Sequence, residues 1–209
     1  MVSGVELLTG ASRIVHAVNS PSQGLEILDV ATGKRTLVHK TSKVVWDASF
    51  SPDGKHIAYR TTIKDPPPAT DDEPNCEPPT LGLRLFTLAD GSDRALEIRA
   101  PKEWEDVKGY AWSPDGSRIA VMVGTVDCDY PGSAVGVFLA SLDAKSQIRI
   151  SKSSMALDPV FSPSGSEIAF ADAAQSPARL MRYNLASGAL TLIVAGTETE
   201  NYFHLHGWH

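Results

Sequence analysis

The chain has 209 residues, 42% hydrophobic and 7% aromatic, enough to bury the core of one domain or two small ones. Its formal net charge of −6 argues against a nucleic-acid partner, which needs a clustered basic surface. No apolar run of 18 residues occurs, so no helical membrane insertion is expected.

The N-terminus, Met1-Val2-Ser3-Gly4-Val5-Glu6, lacks a basic segment followed by an apolar stretch. No signal peptide is read there, so the protein is either cytoplasmic or exported with its leader removed. Ser12-Arg13-Ile14-Val15 then begins a first strand, and Leu25-Glu26-Ile27-Leu28-Asp29-Val30-Ala31-Thr32-Gly33 reads as a strand running into a small polar turn. Next comes Phe50-Ser51-Pro52-Asp53-Gly54, followed by the apolar strand His56-Ile57-Ala58-Tyr59. Pro presets φ at the first central turn position, Asp bonds its own backbone, and Gly supplies a positive φ. The unit returns as Trp112-Ser113-Pro114-Asp115-Gly116 before Arg118-Ile119-Ala120-Val121, and as Phe161-Ser162-Pro163-Ser164-Gly165 before Glu167-Ile168-Ala169-Phe170. The strand-and-turn unit also returns, at residues 85–91, 137–143 and 180–188. Each repeat therefore holds four short antiparallel strands, A to D.

Ile14, Ile57, Ile119 and Ile168 mark the B strands, at spacings of 43, 62 and 49 residues. A four-stranded meander cannot bury both faces alone, so such units stack radially. The expected fold is all-β: a β-propeller of about four antiparallel blades, roughly 1–40, 44–99, 106–150 and 156–195. Residues 202–209 resemble an entering A strand. They either close a four-bladed ring against residues 12–19 or begin the next blade of a longer propeller, in which Val5-Glu6-Leu7 would be the first A strand.

The aromatic-Ser-Pro-Asp-Gly turn followed by Ile-Ala-aromatic resembles the TolB-like propeller repeat, which also occurs in the propeller domains of prolyl-oligopeptidase-type peptidases. The resemblance extends through all four blades. It implies the fold and leaves the activity open. Gly-x-Ser-x-Gly, Gly-rich phosphate loops and His-Glu-x-x-His are all absent, so no catalytic residue, cofactor or metal is assigned.

The distance from each marker isoleucine to the C–D turn varies, placing the insertions in the B–C loops. Variable loops on a rigid scaffold carry function, so that end of the blades is the candidate binding face. Its longest loop, Lys64 to Thr80, is rich in Pro and centres on Asp71, Asp72 and Glu73. It reads as a solvated excursion, a docking site for a protein partner, or a weak calcium site. Asp127 and Asp129 flank Cys128 in the next blade's loop. Cys76 and Cys128 occupy equivalent loops of adjacent blades and form a candidate disulfide, which would place the protein in the periplasm or outside the cell. Free thiols would return it to the cytoplasm. Asp47 and Asp158 share one position of their A strands, expected near the channel, where they bind a cation or polar ligand or simply cap local backbone donors. His204, His206 and His209 are read as channel-lining or terminal residues. The sequence favours a non-catalytic module for protein partners. The alternatives are the propeller of a larger hydrolase and a small-molecule or glycan binder.

Overall fold

Strand follows strand along the described part of the chain. The computed structural model describes residues 13–19, 23–66, 68, 78–126, 134–197, 203–205 and 207–208. No helix occurs among them. The fifteen strands form four antiparallel meanders, each ordered by chain position. Sheet 1 contains β1 (Arg13–Asn19), β2 (Gln23–Asp29) and β3 (Arg35–Lys40). Sheet 2 contains β4 (Val45–Phe50), β5 (His56–Lys64), β6 (Thr80–Thr87) and β7 (Asp93–Ala95). Sheet 3 contains β8 (Asp106–Trp112), β9 (Arg118–Gly124), β10 (Val135–Ser141) and β11 (Gln147–Arg149). Sheet 4 contains β12 (Ala156–Phe161), β13 (Glu167–Asp172), β14 (Arg179–Asn184) and β15 (Leu190–Ala195). The B strands marked by Ile57, Ile119 and Ile168 are β5, β9 and β13. Sheet 1 has three strands among the described residues. Val5-Glu6-Leu7 lies outside them, and residues 203–205, 207 and 208 form no strand. No closed ring is detected.

The chain divides into two compact units, one holding sheets 1 and 2 and the other sheets 3 and 4. In the first, Val15, Leu25 and Ile27 of sheet 1 pack on Val45, Ala48, Phe50, Ile57, Tyr59 and Phe86 of sheet 2. In the second, Ala120, Met122, Val137 and Leu139 of sheet 3 meet Ala156, Phe161, Ile168 and Phe170 of sheet 4. The marker residues Ile57, Ile119 and Ile168 are fully buried. Each such side chain contributes roughly 1.5–3 kcal/mol through its removal from water, which is why the repeat preserves an apolar strand after every turn.

The A–B turn explains its own sequence. Gly54 N–H donates to the Ser51 carbonyl at 2.8 Å, and Gly54 sits at φ 67°. The Ser51 hydroxyl donates to Asp53 Oδ1 at 2.6 Å and accepts from His56 N–H at 2.9 Å. Asp53 also accepts from Lys55 N–H at 3.1 Å. Ser113, Asp115 and Gly116 repeat these bonds, with Ser117 N–H and hydroxyl donating to Asp115. The third turn keeps the backbone bond, Gly165 N–H to the Ser162 carbonyl, but Ser164 replaces the carboxylate. Glu167 N–H still donates to Ser162 Oγ, at 3.1 Å. The buried serine is the common element, satisfying a donor at the mouth of β5, β9 and β13.

Burial pushes the Asp53 carboxyl up, but hydrogen bonds from Ser51 and Lys55 and the Lys55 charge outweigh it and bring it to about 2. The Ser113 hydroxyl, with the Ser117 amide, holds Asp115 below the usual carboxylate range. A C–D turn copies the same design: the Ser141 hydroxyl donates to Asp143 at 2.6 Å and accepts from Ser146 N–H, and Ala144 takes the glycine position at φ 57°.

Candidate functional site

The connections between strands fall into two kinds. A–B turns span 51–55, 113–117 and 162–166, and C–D turns span 30–34, 88–92, 142–146 and 185–189, always five residues. B–C connections span 20–22, 65–79, 125–134 and 173–178. One end of each blade is thus uniform and the other is not. The sequence residues Asp71, Asp72, Glu73, Asp127 and Asp129, with Cys76 and Cys128, lie in the two longest B–C connections and outside the described residues. His206 and His209 lie outside them as well.

Asp47 and Asp158 are described, one in each unit. The A strands share an irregularity that their sequences do not announce. The register shifts between Val45 and Asp47, between Val107 and Gly109, and between Leu157 and Val160. Such a bulge leaves one residue unpaired and re-aims the side chains around it. In β4 the bulged residue is Trp46, 42% exposed, whose indole Nε1–H donates to Thr62 Oγ1 at 3.2 Å. Asp47, beside it, accepts a two-pronged contact from the facing Arg60: Nε to Oδ2 at 2.9 Å and Nη2 to Oδ2 at 2.6 Å, with Nε to Oδ1 at 3.1 Å. Both side chains are about one-fifth exposed, 26% for Asp47 and 18% for Arg60. The carboxylate is thereby occupied by a fixed guanidinium, a geometry that locks orientation and leaves little for a cation.

Asp158 has a different environment. Its φ of 50° places it in the left-handed region immediately before Pro159, a conformation that L-residues adopt at a cost. Its N–H points to Met122 Sδ at 3.1 Å, and Oδ2 lies 3.2 Å from Nδ1 of His204, so the tail contributes a contact to this A strand. At the matching position of sheet 3 stands Gly109, where an added Cβ would come within 2.7 Å of Met122 Cε. One methionine therefore fills the space of two neighbouring A strands. Equivalent positions in three blades carry three chemistries: an ion-paired carboxylate, no side chain, and a strained carboxylate beside a histidine.

A polar cluster that the repeat did not reveal ties sheet 1 to sheet 2. Asp93 accepts from Tyr59 Oη–H at 3.0 Å and from Arg84 Nε at 2.9 Å, with Arg84 Nη2 at 2.7 Å. His39, from β3, places Nε2 3.5 Å from Asp93 Oδ2 and 3.3 Å from Tyr59 Oη, and its ring lies 4.9 Å from that of Phe86. Burial, then the Asp93 charge, raise the Tyr59 phenol far above its ordinary value, so it stays a neutral donor. The hydrogen bond to Asp93 raises Arg84 in turn. Every strong donor converges on one carboxylate, which makes this a clasp between sheets rather than a reactive centre. The signal in the sequence was a pair of opposite charges, Arg84 and Asp93, on either side of a C–D turn. Among the described residues no group of three metal-ligating side chains converges.

No protein-family model matches the sequence, and no curated protein does. Solved structures do match it. TolB from Acinetobacter baumannii aligns with a TM-score of 0.58 at 16% identity, over 89% of this chain and 41% of that one. A putative TolB from Agrobacterium tumefaciens gives 0.56 at 19% identity, over 88% of this chain and 61% of that one. A structure from a study of two prolyl endopeptidases gives 0.64 at 16% identity, over 93% of this chain and 28% of that one. The chain thus spans less than two thirds of each of these proteins. At such identities the likeness establishes the fold, and the β-propeller resemblance carried by the Ser-Pro-Asp-Gly turns is matched by the structural neighbours.

Proposed function

We propose that this chain is a non-catalytic propeller module that binds protein partners through the B–C ends of its blades. The observation that supports this reading is the contrast in connection length: five residues at every A–B and C–D turn among the described residues, against B–C connections that grow to residues 65–79 and 125–134. Selection for folding alone explains the uniform end, and binding residues concentrate on variable loops held by a rigid scaffold. In sequence, the first long loop carries the acidic residues Asp71, Asp72 and Glu73, and the second carries Asp127 and Asp129. Exposed Trp46 on the β4 bulge supplies an aromatic anchor of the kind that dominates interfaces. A periplasmic or secreted location, with Cys76 and Cys128 joined, belongs to the same reading.

The test places a photo-crosslinking residue at Asp72 in one version of the protein and at Ser117, in an A–B turn, in another. Exposure to extracts of the source cells should yield protein adducts at Asp72 and none at Ser117. Replacing Asp71, Asp127 and Asp129 by Ala should remove the Asp72 adducts. Equal labelling at both positions would contradict the proposal.

A further inference from the structure

The chain joins an aspartate to a proline at two places, Asp65–Pro66 and Asp158–Pro159. Such a bond is chemically weak. The side-chain carboxylate stands one five-membered ring closure from its own carbonyl carbon, and the proline nitrogen takes a proton and leaves more readily than an ordinary amide nitrogen. Proline also lacks an N–H, so ring closure through the following nitrogen does not compete. The two sites differ in what bears on this reaction. Asp65 is exposed at the start of the longest B–C connection, with Lys43 Nζ 3.2 Å from Oδ2, and its φ is not positive. Asp158 is held at φ 50°, in the bulge between Leu157 and Val160, with paired residues on both sides and Met122 Sδ against its N–H. Strain of this kind persists only where the surroundings over-determine it. Its Oδ2 lies 3.2 Å from His204 Nδ1. Among the described residues Oδ1 has no hydrogen-bond partner, and the side chain is 31% exposed, open to water.

We propose that Asp158–Pro159 is a self-cleavage site, at which the Asp158 carboxylate cuts its own peptide bond with His204 as the proton donor. Oδ1 attacks the Asp158 carbonyl carbon and closes a cyclic anhydride. The C–N bond to Pro159 breaks and its electron pair stays on the nitrogen. The imidazolium of His204, held at the same carboxyl group, supplies the proton that nitrogen takes. Water then opens the anhydride, leaving Asp158 with free α- and side-chain carboxyl groups and Pro159 as a new N-terminus. His204 regains its proton from solvent, so the sum is one water consumed and nothing oxidised or reduced. Release of the left-handed strain is worth about tenfold in rate. The strands packed against β12 bring no competing proton donor to this carboxylate. On β8, Asp106 and Lys108 pair with each other at 2.7 Å, and Tyr110 follows Gly109. On β13, Asp172 pairs with Arg179 at 3.0 Å and Glu167 with Arg182 at 3.6 Å. β9 carries only Arg118, at its far end, and β10 carries no charge. The reaction is faster at lower pH, where more of His204 is imidazolium. A cut at the bulge leaves Ala156 and Leu157 on one side, and Val160 and Phe161 on the other, still paired to β13. The product is a nicked sheet rather than two separated fragments.

Denaturing mass spectrometry of the purified full chain tests this, after incubation for days with protease inhibitors at about pH 5 and about pH 7.5, folded and in concentrated urea. The expected products are residues 1–158 and 159–209, with masses that sum to the parent plus one water, formed faster at the lower pH. Asp65–Pro66 is the internal reference. In the folded chain Asp158–Pro159 should be cut about tenfold faster or more, and in urea, where strain and His204 are both lost, the two bonds should be cut at similar rates. His204→Gln should slow the cut at Asp158 about fivefold or more and leave that at Asp65 unchanged, and Asp158→Asn should remove it. Circular dichroism shows whether each variant is folded, and the comparison of folded with urea-treated parent needs no variant. An intact Asp158–Pro159 bond overturns the proposal, as do equal rates at the two bonds in the folded chain. So does a preference for Asp158 that persists in urea, or a folded His204→Gln protein cut at the parental rate.

Discussion

The two ends of a blade in this protein obey different rules. At the A–B end, three turns of identical length place a serine hydroxyl between the turn and the following strand, and two of them add a carboxylate drawn to low pKa. At the B–C end, nothing repeats: connections of three, fifteen, ten and six residues join strands of similar length. The lesson is that one end is specified by local backbone chemistry and the other is released from it. Stability should therefore respond to changes at the A–B end, and binding to changes at the B–C end.

The largest effect expected is an exception to this division. If Cys76 and Cys128 are joined, the bridge closes about 50 residues and contributes on the order of 2–4 kcal/mol from the variable end. Reduction should then lower the melting temperature, and Cys128→Ser should abolish the response. Quantitative labelling of two free thiols in the native, unreduced protein would return the variable end to the rule and the protein to the cytoplasm.

A smaller effect separates two turns of the same shape. Gly116 sits at φ 68°, where an L-residue is disfavoured, so Gly116→Ala should cost about 1 kcal/mol. Ala144 already occupies that conformation at φ 57°, and Ala144→Gly should be neutral or stabilising by a few tenths of a kcal/mol. Equal and opposite shifts in denaturant midpoint would show that backbone strain alone sets both effects, and unequal shifts that something the turns do not share offsets it.

The carboxylates distinguish the turns more finely. Asp53 and Asp115 have folded-state pKa values below their unfolded values, so their contribution is complete above about pH 4. It is lost as pH falls through the folded values, which for Asp53 means toward about 2. Melting temperature should drop between pH 4 and 2, and the double variant Asp53→Asn, Asp115→Asn should show a shallower drop. The third turn has Ser164 in that position and lacks this dependence. Ser164→Asp should create it, stabilising the protein at pH 7 and leaving it unchanged at pH 2.

The parts of the molecule that were legible in the sequence are those made by neighbours along the chain. Ser51 and Asp53 act on residues within five positions of themselves, so the turn, the strand after it and the meander of four strands all followed from one repeated segment. The bulges at 45–47, 107–109 and 157–160 did not follow, because a slipped register depends on what packs above the strand: Met122 beneath Gly109 and beside Asp158 is the clearest case. The clasp of His39 on Asp93 was equally hidden, since it joins two sheets through residues 54 positions apart. Asp47 and Asp158, equivalent in the repeat, diverge for the same reason. Arg60 faces one, and His204 reaches the other from the tail.

Thermal unfolding of two variants side by side tests the central claim most directly. Ser113→Ala removes the hydroxyl that satisfies Arg118 N–H and should cost about 1–3 kcal/mol, lowering the melting temperature by several degrees. Replacing Asp71, Asp72 and Glu73 together by Ala changes three charges at the B–C end and should stay within about 0.5 kcal/mol of the parent. A triple variant that melts as low as Ser113→Ala, or a Ser113→Ala protein as stable as its parent, would contradict the division of each blade into a structural end and a binding end.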